Sequence, residues 1–595
     1  MIKAPIRIGG ATGYWGEADL ALPQFLAEGG LDYIVFDYLA EITMSLLARA
    51  RDADPNMGYA TDFVTAIVKP HLSAIAESGV RLVSNAGGVN PQACAEVIRQ
   101  LIAEAGLDLK VAIVTGDDAM PLLVQLQASG ATEMFSGEGL PPAEKIASAN
   151  AYLGAFPIAE ALSKGADIVI TGRCVDSAVT LGACIHAFGW QPTDLDQLAA
   201  GSLVGHLVEC GPQVTGGNYT DWEQVADSLH NVGYPIAEVS ADGSAIISKP
   251  ADTGGCVTVG SVGEQLLYEI GDPAAYFLPD VVCDFTQVTL EDLGDDRVKV
   301  SGALGAGVPS TYKTSVTWAD GWRAGTISFY VGRRAADKAR IFAGEAVARA
   351  RRKLDAKGLP DYDDILIEVV GDESHYGESA RYVRSREVAV KIACRHQDKG
   401  AVALLMKELS GVALGAPAGL CSFAGTRARP SPVVRLFSTL VDKAQLPIAI
   451  ETAEGVTVHE PAPGLPTPGE PARHPVPAPD TADDLIEVPL EQLAWVRSGD
   501  KGDKANIGVM ARKAAYLPWI AAVLDTHYVA SRFNHFMTAP AIDRYYLPGL
   551  PALNYVMHNV LGGGGIASLR NDAQAKCYGQ ILLDTMISVP SSLLE

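Results

Sequence analysis

Over the first 180 residues, short apolar runs alternate with longer amphipathic stretches. IRIGGATG, LDYIVFDYLAEI, VRLVSNAGGVNP, LKVAIVTGDD and ADIVITGRCVDSA each read as a buried strand ending in a turn that contains Gly, Asn or Asp. Between them, ADLALPQFLAEGG, MSLLARARDA and PQACAEVIRQLIAEAG carry helical spacing. Strands alternating with helices at this interval predict β-α-β units, and so an α/β region with a mostly parallel sheet covered on both faces. From about Gly201 to Pro279 the sequence becomes glycine-rich and less periodic. DFTQVTLEDLGDDRVKVSGALG and TSVTWADGWRAGTISFYV then predict antiparallel hairpins, turning at Gly-Asp and Asp-Gly. A long helical stretch, ADKARIFAGEAVARARRKLDAKG, and further strand and helix segments make the middle an α+β region, with a sub-boundary expected near residue 280.

HEPAPGLPTPGEPARHPVPAP lacks aromatic residues, cannot form a core and favours extended polyproline conformation. It divides the chain into an α/β region over 1–456, a proline-rich linker over 457–483 and a separate small α+β domain over 484–595. A docking peptide is the other reading of the linker. Division suits a chain of 595 residues, since single cores stop growing at about 250 to 300 residues.

Composition narrows the classes of function. A net charge of −24 disfavours nucleic acid and anionic membranes, because phosphate binding draws on a basic surface. A local basic pocket inside an acidic protein still suits a carboxylate or a phosphorylated ligand. The nine cysteines are scattered, without CxxC pairs or metal-ligand spacing, and read as reduced thiols. With neither a signal-like N-terminus nor a run of about 18 apolar residues, the expected address is the cytoplasm.

In a parallel α/β sheet, ligands bind beyond the carboxyl ends of the strands. The residues at those ends are Gly10 and Thr12; Asp37 and Glu41; Asn85, Gly87 and Gly88; Asp117 and Asp118; and Arg173, Asp176 and Ser177. Read as one crevice, they assign chemistry to Asp37, Glu41, Asp117, Asp118 and Arg173 and binding to the rest. The same residue types also suit tight turns and helix caps. Arg173 could fork onto a carboxylate or phosphate, or pair with Asp176. Asp37 and Glu41 have the spacing to share a helix face for acid/base or metal work, or to pair with Arg173 or Arg7. Asp117 and Asp118 could hold a divalent metal through water, or cap a helix. GGATGYWG departs from G-x-G-x-x-G and no P-loop appears, so no nucleotide cofactor is identified. His186, His206 and His375 stand alone. Cys174 and Cys256 are either activated thiols or buried packing.

The C-terminal piece carries WVRSGDKGDKANIGV, from Trp495 to Val509. Flanked by strand-like runs, SGDKGDK reads as a glycine-hinged loop that holds an anion or reaches another domain's crevice. Arg497, Ser498, Asp500, Lys501, Asp503 and Asn506 are its binding candidates. LGGGGIASLR, near Gly562, is a second loop open to close backbone approach.

RSGDKGDKANIGV resembles the signature near the start of the C-terminal domain in the acyclic terpene utilisation (AtuA) family. RIGGATGYWGEADLALPQFLAEGG, SNAGGVNP, VTGDD and ITGRCVDSAVTLG are similar to its N-terminal domain, and the likeness runs from about Ile6 to Ser588. The resemblance implies a ferredoxin-like C-terminal domain and a role in degrading acyclic terpenoids or branched acids as coenzyme A thioesters. The family has no firmly attached reaction, so no catalytic residue carries over. In many relatives an acidic residue stands where this chain has Lys504, which counts against a metal role at that position. Carbon–carbon cleavage and water addition need an oxyanion stabiliser and an acid/base pair. The expected function is therefore a lyase or hydratase acting on a branched hydroxyacyl-CoA or enoyl-CoA, in a homo-oligomer. A noncatalytic scaffold for other enzymes is the alternative.

Overall fold

The computed structural model describes residues 3–594 apart from 18, 382–384, 423–427, 468, 538 and 566; at 41 and 42 it describes the backbone alone. Five apolar runs form the parallel centre of the main sheet, in the order Ile6–Gly10, Tyr33–Phe36, Arg81–Ser84, Ile168–Thr171 and Val111–Thr115. Being buried on both faces, they read as continuous apolar runs. Helices Ala21–Glu28, Lys69–Ser78 and Pro91–Ala105 cover one face, and Phe156–Ser163, Ala178–Phe188 and Leu195–Val208 the other.

The sheet as a whole is mixed, which corrects the expectation of a mostly parallel one. Ile236–Val239, Ala245–Ser248, Val298–Ser301 and Thr289–Asp292 extend it antiparallel beyond Ile6–Gly10. Ile448–Thr452 and Gly455–His459 extend it antiparallel beyond Val111–Thr115, giving eleven strands. Antiparallel neighbours need no crossover helix, so segments distant in sequence can add to the edges of a parallel centre.

A second correction concerns Asp320-Gly321, which turns no hairpin. Thr311–Val331 is one strand of 21 residues, and the register of its pairing slips between Ala319 and Trp322, where Gly321 takes φ +80°. This bulge bends the strand so that it serves two sets of partners. Its first half pairs with Ser431–Asp442 and Ile146–Ala151, its second with Glu387–His396. Helices Ala335–Asp355 and Lys399–Gly411 bury their apolar faces on this sheet.

The C-terminal domain has a four-stranded antiparallel sheet in the order Ala494–Lys501, Lys504–Ala511, Ala552–Met557, Ile542–Leu547, with helices Leu517–Val523, Thr526–Phe533 and Tyr578–Leu583. SGDKGDK is therefore not a loop. The strands run on until Lys501 faces Lys504 across a two-residue turn, with Gly502 at φ +65° in the first turn position. Helix Val259–Leu267 of the N-terminal domain lies against this sheet. Glycines on both sides bring the backbones close: a Cβ on Gly263 would sit 2.2 Å from Met510, and one on Gly508 would sit 2.4 Å from Leu267. Among the described residues, no helix is long and apolar enough to cross a membrane.

Candidate functional site

Where the C-terminal hairpin meets the N-terminal domain, a chamber of about 380 Å³ opens. Helix Leu195–Val208 delivers His206 and, just past its end, Glu209. His206 Nδ1 lies 3.0 Å from Glu209 Oε1, and its Nε2 lies 3.3 Å from the Leu266 carbonyl oxygen. Both ring nitrogens are thus engaged, and the ring orients the Glu209 carboxyl. Burial raises the Glu209 carboxyl above its ordinary range; His206 pulls it back, and the Asp176 charge adds to the rise.

Glu269 follows helix Val259–Leu267 in the left-handed region, at φ +56°. A non-glycine residue there is held by its surroundings. The Asn506 side chain accepts the Glu269 N–H at 2.9 Å and donates to the Leu267 carbonyl at 2.6 Å. So fixed, the Glu269 carboxylate lies 3.1 Å from Lys501 Nζ, at the hairpin turn, and 3.1 Å from Lys576 Nζ. Burial opposes these charges, yet the two lysines hold Glu269 down at about 2. Burial likewise works against the Lys501 ammonium, but Glu269, Tyr276, Asp176 and Glu209 outweigh it and keep its pKa well above the usual lysine range.

Each carboxylate lining the chamber has a cationic or imidazole neighbour. Asp176 meets Arg173 at 2.7 Å, Asp272 meets Arg473 at 2.6 Å, Asp543 meets His558 at 2.8 Å and Asp500 meets Lys576 at 3.5 Å. Two further lysines of the lining rest on aromatic rings, Lys504 at 4.1 Å from the Phe135 centroid and Lys313 at 4.8 Å from that of Tyr152. The chamber therefore interleaves carboxylates with lysines, arginines and two imidazoles, and Lys504 and Lys313 lie on its aromatic side.

Tyr152, Val175, Phe277, Leu278 and Lys313 also line a second cavity of about 800 Å³, walled by Met134, Val308, Pro309, Leu440 and residues 464–467. Met134, Phe135, Phe277 and Leu440 are exposed at these two cavities. Large apolar side chains thus rim a chamber lined by charged residues, the arrangement expected of a binding surface.

The residues expected to share one crevice are distributed. Asp37, Arg173 and Asp176 do come together: the buried Asp37 carboxyl is raised by burial and by Asp176 and lowered by Arg173. Arg173 stacks on Tyr152 at 4.2 Å. Asn85 donates to Asp37 and accepts the Tyr38 N–H, at 2.7 Å. Asp176 and Ser177 line the chamber. Gly10 and Gly87 press against the Val208 and Thr171 carbonyls and Gly88 against Leu47, while Thr12 donates to Glu17 at 2.9 Å. Helix Glu41–Ala53 starts at Glu41, whose side chain lies outside the described residues.

Asp117 and Asp118 line a separate cavity of about 240 Å³ with Asn90, Asn150 and Arg51. Asp118 accepts the Met120 N–H at 2.9 Å. Among the described residues, no three His, Cys, Asp or Glu side chains gather as a metal would need. Burial pushes the thiols of Cys174 and Cys256 up to about 12 and about 11, so neither is an activated nucleophile.

Asp117 yields a pH prediction. Burial raises its carboxyl from an ordinary 3.8 to about 6, against the Arg173 N–H (3.0 Å) and Asn150 (2.8 Å), which it accepts. The folded state then binds this proton more tightly than the unfolded chain, so stability falls as pH rises from 3.8 to about 6 and stays lower above. Asp117→Asn should raise the melting temperature at pH 7 and leave it nearly unchanged at pH 3. An equal change at both values would contradict this account.

Within RSGDKGDKANIGV the work is divided. Arg497 donates to Gln213 and to the Asn218 carbonyl and lies 4.7 Å over the Tyr268 ring. Ser498 joins Ala575 (2.6 Å) to Gly579 (2.8 Å), and Asp503 accepts the N–H groups of Leu561 (3.0 Å) and Gly563 (2.9 Å). These three brace the hairpin, the last against the second glycine loop. Asp500, Lys501, Lys504 and Asn506 line the chamber.

Sequence reasoning missed Glu209, Glu269, Lys576 and Lys313, and passed over His206 as isolated. One signal was available: His206 and Glu209 are spaced i, i+3, as neighbours on a helix face. Glu269 and Lys576 meet only in the folded chain.

The family described as acyclic terpene utilisation family protein AtuA matches residues 6–452, and the AtuA ferredoxin-like domain matches residues 488–588. No curated protein and no solved structure matches the chain. With both parts matched in order over most of its length, the chain belongs to the acyclic terpene utilisation family.

Proposed function

We propose that the protein is a catabolic lyase or hydratase acting on a branched hydroxyacyl-CoA or enoyl-CoA, with the thioester carbonyl in the polar chamber and the chain in the apolar cavity. The observation that carries this reading is that the two neighbouring spaces share Tyr152, Val175, Phe277, Leu278 and Lys313 in their linings. An amphipathic ligand with one polar end fits that division, and a family named for acyclic terpene use supports a branched, open chain.

Glu209 is the acid/base group of this proposal, raised by burial as a proton-exchanging carboxyl needs to be. In hydration it takes a proton from water as the water oxygen bonds to the β-carbon, and a proton then goes to the α-carbon. Lys501 faces the negative charge that gathers on the thioester oxygen in between. His206 positions the carboxyl, and Arg173 and Asp37 support Asp176 behind it.

The test is a melting-temperature and mass-spectrometric screen of the whole protein against coenzyme A, branched acyl-CoAs and the free acids. A ligand bound by the folded state alone raises the melting temperature. We expect a rise with a branched acyl-CoA and a product differing by water or by an acetyl unit. No rise with any acyl compound would overturn the reading.

A further inference from the structure

The proline-rich stretch, read from composition as a linker, lies along the apolar cavity. Before it, strand Gly455–His459 completes the edge of the main sheet, and His459 lies 2.9 Å from Glu160. Leu465 then exchanges two backbone hydrogen bonds with Val308, at 2.9 and 3.3 Å. Gly307, at φ +115°, lies so close beneath Pro466 that a Cβ would stand 2.2 Å from the proline carbonyl oxygen. Further on, Arg473 forks onto both carboxylate oxygens of Asp272, at 2.7 and 2.6 Å, and lies 4.9 Å over the Tyr545 ring. Asp272 and Tyr545 are chamber residues. The strap is therefore pinned to the main sheet at one end and to the polar chamber at the other.

Between those pins, residues 464–467 line the cavity together with Met134 and Leu440. Proline fixes φ and leaves little freedom to lose, so such a segment makes a stiff wall without regular secondary structure. A stiff wall discriminates by size, because a chain that is too long cannot push it back, whereas a flexible tether would yield.

Resting on the acyl-CoA reading above, we infer that the strap at 464–467 is the specificity wall of the site and that Leu465 sets the length of branched acyl chain it accepts. A methylene gained or lost against such a wall changes discrimination by about 10- to 200-fold.

The experiment uses the full chain with Leu465→Ala and Leu465→Phe, and with Thr467→Trp as a variant at an exposed position that spares the Leu465 bridge. The probes are β-methyl-branched acids and their coenzyme A thioesters, rising from hexanoyl to dodecanoyl, read by melting temperature and by kcat/KM. Leu465→Ala should move the preference toward longer chains; Leu465→Phe and Thr467→Trp should move it toward shorter ones. The long-to-short ratio should change about tenfold or more. If the wild type binds the series but the variants change every member alike, the strap is not the wall, and the acyl-CoA reading stands. If the wild type binds no member, both fall.

Discussion

Glu209→Gln should lower kcat by about 10²- to 10⁴-fold while the acyl ligand still raises the melting temperature. Glutamine keeps the shape of the side chain and a partner for His206 Nδ1, now at 3.0 Å from Glu209, but cannot exchange a proton. The acid limb of the kcat/KM profile should lie above the ordinary 4.5 of a glutamate, in the direction burial and Asp176 push this carboxyl. His206→Gln should act more mildly and move that limb, because the ring touches Glu209 and the Leu266 carbonyl rather than the reacting atoms. Turnover in Glu209→Gln at the wild-type rate would remove Glu209 from the mechanism. Loss of ligand binding together with turnover would make it a binding residue instead.

Much of the N-terminal architecture was legible because it is local. Each central strand is an apolar run beside its own helix, so a short window holds the signal. The edge strands are not local: Ile6–Gly10 pairs with Ile236–Val239, and Val111–Thr115 with Ile448–Thr452. No window joins such segments, and the mixed character of the sheet follows from them. Asp-Gly at 320–321 misled because glycine with positive φ serves a bulge as well as a hairpin turn. In the C-terminal motif, a run of polar residues punctuated by Gly499 and Gly502 hid a pair of strands. Alternation there sends Ser498 and Asn506 to opposite faces of the hairpin, both of them buried, one against Ala575 and the other against Leu267.

The candidate site was legible in type more than in position. Anion-binding lysines and buried carboxylates were expected, and Asp176, Asp500, Lys501 and Asn506 do line the chamber. The chamber itself needs both domains. Glu209 and Glu269 come from the stretch with the weakest periodicity, Lys501 and Lys576 from beyond the proline-rich segment, and their pairing is a property of docking alone.

That docking predicts the largest stability effect. Asn506 links both domains: its amide joins the Glu269 N–H and the Leu267 carbonyl, and its Nδ2 also lies 3.0 Å from Asn554 Oδ1. Asn554 in turn donates to the carbonyls of Ile270 (2.9 Å) and Gly271 (2.7 Å). Asn506→Leu keeps the branched shape, with a larger volume, but strands buried partners on both sides, each costing about 1 to 3 kcal/mol. The total loss should be about 3 kcal/mol or more, read from urea unfolding. Trp495, which donates to Asp221 across the junction at 2.9 Å, reports the docking by fluorescence, and circular dichroism reports the folds. In the variant the fluorescence transition should come first, because Asn506 belongs to neither of the apolar clusters on which the folds rest. A loss below about 1 kcal/mol, with coincident transitions, would mean that the glycine-mediated contact of helix Val259–Leu267 suffices to hold the domains. With its N–H released, Glu269 loses the backbone contact that supports φ +56°, so the partner of Lys501 should be less firmly placed and the acyl ligand should stabilise the variant less than the wild type. Stability and ligand response should therefore fail together in Asn506→Leu and both survive in Glu209→Gln, where turnover alone falls, since one residue holds the chamber together and the other only works inside it.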